Sequence, residues 1–244
     1  MFASARRTLV TGASRPLGVE MVRQCLERGD RVIAAARNPA RVPVLADLRA
    51  KYGALDLIAL DPADAASVAE AMPVLQQITA SLDLLIVAPA EPGPHDRVSD
   101  TARDATLESL SATALVEHYR RHAVAPVLLV RTLLPLLQAA GGSRVLLVNS
   151  WLASLAGKTQ GGDYALCASG AAFNMLARAL AHDVARDQIV VAIGNPGKFA
   201  TTPERSAMSV SIEESVAGLL GVMEALPVER TGDFLDWTGA GRAW

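Results

Sequence analysis

The stretch Val148–Leu176, VNSWLASLAGKTQGGDYALCASGAAFNML, decides how this chain folds. It follows the apolar run Arg144–Val148, RVLLV, which has the length and composition of a buried strand. From near Tyr164 the small and apolar residues recur at helical spacing, so the stretch reads as strand, loop and helix. The same alternation extends in both directions. Apolar strands are predicted at Thr8–Val10, Val32–Ala36, Leu55–Leu60, Leu84–Val87, Ile189–Ile193 and Phe234–Trp237. Helices are predicted over Val19–Arg28, Ala40–Tyr52, Ser67–Ser81 with a break or kink at Pro73, Leu107–Ala140 in two pieces, Ala165–Ala185 and Glu213–Leu226. Strands alternating with helices imply an α/β fold, with a doubly wound parallel sheet of about seven strands and helices on both faces. No linker or repeat divides residues 1–244, so one domain is expected.

An apolar content of 51% supplies a large core, and with only 4% aromatics that core is built from Ala, Val and Leu. The net charge of −2, with both signs interspersed, argues against a nucleic-acid partner. Cys25 and Cys167 lie in helical patterns, which argues against a disulfide framework or a metal site. No apolar run reaches the eighteen residues or so that a membrane span needs. The opening MFASARRTLVTG runs straight into a strand, so the expectation is a soluble cytoplasmic protein.

Val148–Leu176 closely resembles the active-site segment of short-chain dehydrogenases/reductases, in the branch of C-factor-like and sniffer-like carbonyl reductases. That branch reads V-S-S-x-x-G-S-I, then G-G-x-Y-x-Y-R-A-S-K-A-A-L-N. The ending Gly232–Gly239, GDFLDWTG, with Trp244 last, is similar to the same branch, so the resemblance implies a single Rossmann-type domain. It places Ser150 on the family's catalytic serine, Leu166 on its tyrosine and Gly170 on its lysine. His122, within Arg121–Pro126 (RHAVAP), takes the place of the family's asparagine, and Val87-Ala88-Pro89-Ala90 replaces N-N-A-G. In the family the tyrosine protonates the carbonyl oxygen, the lysine lowers its pKa, the serine polarises the carbonyl and the asparagine holds a water relay. Leucine has no proton to give and glycine has no charge.

Other residues are candidates for the missing roles. Tyr164 lies two positions before Leu166, about 200° round a helix, which suits packing better than catalysis. Lys198, in Pro196–Thr201 (PGKFAT), either reaches the vacated space or points to solvent. His122 is either a base that titrates near neutrality or a buried, hydrogen-bonded histidine. Ser150 either polarises a ligand or caps a turn, and without G-x-S-x-G around it a hydrolase nucleophile is excluded.

The turn Thr11–Gly18, TGASRPLG, stands between a strand and a helix, where backbone N–H groups and the helix's positive end can hold a pyrophosphate. Gly12 and Gly18 match the family's T-G-x-x-x-G-x-G, and Pro16 replaces the middle glycine. Pro16 either narrows the phosphate turn or simply starts the helix over an empty cleft. Arg15 and Arg37, with no carboxylate at the end of the second strand, suit the 2′-phosphate of NADP(H) rather than NAD(H). With Ser14 and Leu17 in the turn, the resemblance adds Asp61, Ala88, Pro196, Gly197 and Thr201 to the cofactor-binding set.

Three readings stand: an NADP(H)- or ligand-binding homologue that has lost its redox machinery, a pseudoenzyme with a regulatory role; an NADPH-dependent carbonyl reductase using Ser150 with other partners; and a non-redox enzyme moving protons on a carbonyl compound with His122 and Ser150. The resemblance also implies a homodimer through helices around Ser111–Leu137 and Ala165–Ala185, with a monomer as the alternative.

Overall fold

The computed structural model describes residues 5–88, 106–199 and 209–244. Its main sheet has seven strands: β1 (Arg7–Val10), β2 (Arg31–Ala36), β3 (Leu55–Ala59), β4 (Leu84–Val87), β5 (Arg144–Val148), β6 (Val190–Asn195) and, last in the chain, β9 (Phe234–Asp236). Their order is β3-β2-β1-β4-β5-β6-β9, and every pair is parallel. A second, two-stranded element pairs β7 (Lys198–Phe199) with β8 (Ser209–Val210), which periodicity alone does not reveal.

Alternation along each strand feeds two cores. Leu9, Ile33, Leu85, Val145 and Leu147 face one layer, formed by helices α3 (Ala65–Ile78), α5 (Ala125–Gln138) and α6 (Tyr164–Val184). Val10, Val32, Ile86, Leu146 and Ala192 face the other, formed by α1 (Pro16–Glu27), α2 (Pro43–Tyr52) and α7 (Ile212–Ala225). Burial on both faces explains why β4 and β5 read as continuous apolar runs.

Some boundaries differ from the sequence reading. Helix α3 passes through Pro73 and stops at Ile78. Pro73 is on the solvent side, where water can satisfy the Ala69 carbonyl left without its helical donor. The long helical stretch begins at Ala112, not Leu107, because the Ser111 hydroxyl accepts the Ala114 N–H and caps α4 (Ala112–Tyr119). Its two pieces are joined by a π-helical turn, Arg120–Val124, which inserts an extra residue before α5. Helix α7 starts at a full capping box between Ser211 and Glu214.

The sheet order reverses between β1 and β4, and loops leaving those strands diverge there to leave a crevice. The β1–α1 turn forms one wall. Gly12 has φ +65°, and a Cβ on Gly18 would lie 2.2 Å from the Gly12 carbonyl oxygen. Both glycines are therefore needed for the turn itself. Gly18→Ala is expected to lower stability by about 1–3 kcal/mol through overpacking, read as a lower thermal unfolding midpoint; an unchanged midpoint would refute the close approach.

Candidate functional site

The crevice beyond the C-terminal ends of β1, β4, β5 and β6 encloses about 380 Å³. Of the residues expected from sequence, it brings together Gly12, Arg15, Leu17, Ala88, His122, Ser150, Leu166, Gly170, Pro196 and Gly197. Gly18 shapes the turn from behind, while Ser14 and Arg37 are exposed outside the lining. The Asp61 carboxylate accepts the Ala63 N–H at 2.9 Å and so orders a strand-end turn; its neighbours Pro62 and Ala63 form the wall. Lys198 is exposed, and Phe199 is the residue of β7 that faces the crevice. Tyr164 opens α6 away from the lining. Thr201, Pro89 and Ala90 lie outside the described residues.

Ser150 is held from both sides. Its N–H donates to the Asn149 side-chain oxygen at 2.8 Å, and its Oγ accepts the Leu152 N–H at 3.2 Å, capping the single turn Trp151–Ala153. The expected capping role is therefore present, yet the hydroxyl proton is left for a ligand. Asn149 also donates to the Gly170 carbonyl at 3.0 Å and to Asn174 at 2.7 Å, tying the end of β5 to α6. On the other side Asn195 accepts the Trp151 N–H at 2.9 Å and donates to Asp236, which is gripped by Arg242 through both oxygens.

Gly170 meets this turn face on. A Cβ there would lie 2.9 Å from Ala153 Cβ and 3.4 Å from Asn149 Oδ1. In the pattern V-S-S-x-x-G, Ala153 stands where the branch has glycine. The two positions have exchanged bulk, so a lysine stem has no room to leave α6. Leu166, one turn earlier, presents an aliphatic surface to the crevice.

His122 sits in the π-helical turn, stacked on His118 with ring centroids 5.1 Å apart and planes 12° from parallel. Burial first, and then electrostatic interaction with His118 and with the Arg121 guanidinium, pushes its pKa down to about 4. At neutral pH it is an uncharged imidazole in the crevice wall rather than a base poised near 7. Among the lining side chains that sequence reasoning missed are Asn149, Asn195, Arg121, Phe173, Phe199 and Ile212. Asn149, Arg121, Asn195 and Phe199 stand next to residues singled out from the sequence, whereas Phe173 and Ile212 come from other positions on α6 and α7. Among the described residues no group of three metal-ligating side chains occurs, and no helix is long and apolar enough to cross a membrane.

Residues 6–210 match the family model for short chain dehydrogenases, and the chain belongs to that family. It is 32% identical to the C-signal protein of Myxococcus xanthus over 123 residues, 50% of this chain and 74% of that protein. The NADPH-bound carbonyl reductase from chicken fatty liver superimposes with a TM-score of 0.87 at 27% identity, covering 99% of this chain and all 100% of that one. Carbonyl reductase Sniffer of Drosophila melanogaster shares the fold, with a TM-score of 0.86 at 21% identity over 98% of this chain and 100% of its own.

Because the folded protein resists protonating His122, acid should destabilise it. At pH values above the ordinary 6.5 the imidazole is neutral in both states. As pH falls from there towards about 4, the unfolded chain takes up a proton that the folded chain refuses. His122→Asn should remove up to about 3 kcal/mol of that acid-induced loss, seen in urea unfolding at pH 7 and pH 4. Equal losses in both proteins would show that His122 is protonated in the fold.

Proposed function

We propose that this chain is an NADP(H)-binding short-chain dehydrogenase homologue whose ordinary redox machinery is lost, a pseudoenzyme with a ligand-binding or regulatory role. The observation that carries the reading is the contact between Gly170 and Ala153. The place from which a lysine would act is filled by a neighbouring methyl group, and Leu166 offers no proton in front of it.

The residues of the crevice fit a dinucleotide. The first turn of α1 carries the N–H groups of Leu17 and Gly18, which have no partner four residues back within the helix. Pro16 is at N1, where its missing N–H removes nothing from the helix ladder. Gly12 packs against the end of β4, where a Cβ would lie 3.0 Å from the Ala88 carbonyl oxygen, so glycine is what lets the turn pass this close beneath the crevice. Arg15 in the turn and Arg37 just past β2 supply guanidinium groups for a 2′-phosphate, and β2 ends at Ala36 without a carboxylate. The chicken carbonyl reductase and a carbonyl reductase of Pseudomonas aeruginosa, 26% identical to this chain, hold NADPH and NADP respectively, which supports the same cofactor here. When bound, the cofactor would supply a hydride; the chain's own part is to orient it and exclude water with Phe199, Ile212 and Phe173.

A second reading is favoured by the Ser150 hydroxyl and the neutral His122, two hydrogen-bond donors in one apolar-walled crevice. Together they would polarise the oxygen of a carbonyl compound, either for hydride transfer or for proton transfer without redox chemistry. A homodimer is supported by exposed Val116, Leu128 and Met175 on α4, α5 and α6; a mass of 25.6 kDa by light scattering would decide for the monomer.

Calorimetry should show tighter binding of NADPH than of NADH; equal affinities would remove the argument from the arginines. With an activated aromatic ketone, NADPH consumption by the wild type should be slower by about 10²–10⁴ than in a reductase with its general acid. Leu166→Tyr with Gly170→Lys should be limited by overpacking, and adding Ala153→Gly should raise activity further. Wild-type turnover of roughly 1–10³ per second would refute the lost machinery.

A further inference from the structure

The two cysteines of this chain have opposite surroundings. Cys25 is fully buried in α1, and desolvation pushes its thiol up to about 12, so it is an inert packing residue. Cys167 is half-buried at the start of α6, one residue after Leu166. Its N–H donates to the Asp163 carbonyl at 2.8 Å, which fixes the sulfur's place on the helix.

A second nucleophile is held against that sulfur. Lys158 lies in the exposed loop that follows the Ser150 turn. Its Nζ donates to Cys167 Sγ at 3.3 Å and to the Gly162 carbonyl at 2.7 Å. Gly162 and Asp163 both have left-handed backbone conformations, φ +83° and +52°, and so turn the loop back over the start of α6. The Gly162 carbonyl therefore holds the lysine nitrogen from one side while the sulfur meets it on the other. Among the described residues no group of three metal-ligating side chains occurs, so the pair is not part of a metal centre. Nor can Cys25 reach it, because α1 packs on the opposite face of the sheet from α6. Within the chain, an oxidised Cys167 sulfur meets an amine and not a thiol.

We propose that Lys158 and Cys167 are the site of an oxidative crosslink, a sulfenamide formed when a hydroperoxide oxidises the Cys167 sulfur. In the first step the sulfur takes one oxygen from the hydroperoxide, which is reduced to an alcohol or water, and a sulfenic acid results. In the second step the Lys158 ammonium releases a proton to water and the free amine attacks the sulfur. An S–N bond forms and the S–O bond breaks. The departing hydroxide takes up the second proton that the nitrogen sheds and leaves as water. The chain has then lost two hydrogens, and a thiol reductant restores both side chains. The bond joins residues nine positions apart. It staples the loop after the Ser150 turn to the helix that presents Leu166 to the crevice.

Trypsin reads this bond directly, because a lysine whose nitrogen is bonded to sulfur is not cut. The folded protein is treated with an equimolar amount of hydrogen peroxide, unfolded, alkylated, digested without reductant and analysed by mass spectrometry. The wild type is expected to give a peptide from Val145 to Arg178, uncut after Lys158 and two hydrogens lighter than its sequence. Dithiothreitol should restore the cut. The yield should be at least about tenfold higher from folded protein than from protein oxidised in urea, since the fold holds the two groups together. Lys158→Arg, whose guanidinium does not displace the oxygen, should carry Cys167 on to the sulfinic acid, and Cys167→Ser should be cut normally. Both variants are expected to keep the wild-type unfolding midpoint. Cleavage after Lys158 in the oxidised wild type would overturn the proposal, whether Cys167 is then a sulfinic acid or is bonded to a backbone nitrogen. An uncut peptide that has gained oxygen would also overturn it, and so would equal yields from folded and unfolded protein.

Discussion

Helix α6 can lie against the Ser150 turn only because Gly170 has no side chain. The space a Cβ would need is held by Ala153, 2.9 Å away. Everything at the bottom of the crevice follows from that approach. It lets Asn149 reach the Gly170 carbonyl and Asn174 together, and those bonds fix the end of β5 on which Ser150 stands. In the related branch the small residue is on the turn and the large one on the helix. Here the helix carries the small residue and the turn the methyl group. Close packing permits one arrangement or the other at a given spacing, and not both large residues together. A side chain at position 170 and the methyl group of Ala153 therefore exclude each other at this spacing.

The opposite side of the turn is held by a polar chain from the far end of the sequence. Arg242 grips Asp236, Asp236 accepts from Asn195, and Asn195 accepts the Trp151 N–H. Asn195 is 2% exposed, so its two side-chain bonds replace ones to water that burial has removed. A short parallel pairing of β6 with β9 brings the two ends of this chain together. The same dry surroundings set the state of His122. Removing water from the imidazole disfavours its charged form, and interaction with His118 and Arg121 adds to the effect, so a residue that titrates near neutrality in water is a neutral donor in the crevice wall.

The strands, the crossovers and the glycine turn were legible from sequence because their signals are local. Continuous apolar runs mark strands buried on both faces, and small residues at fixed spacing mark a turn that side chains would obstruct. Ser150, Leu166, Gly170 and His122 could be placed by spacing within single motifs. The direction of Lys198 could not. It depends on β7 pairing with β8, which turns Phe199 inward and, by the two-residue period of a strand, Lys198 outward. Asn195 was also illegible as a crevice residue, because its partner Asp236 comes from a segment 41 positions distant.

Sequence by itself therefore determined the fold class, the position of the crevice and the absence of a tyrosine and a lysine at their expected spacing, since these depend on residue type and local periodicity. Tertiary structure alone decided whether the vacated space stayed open. Ala153 and Gly170 are seventeen positions apart, and only the packing of helix on turn makes the methyl group of one the obstacle to a side chain on the other.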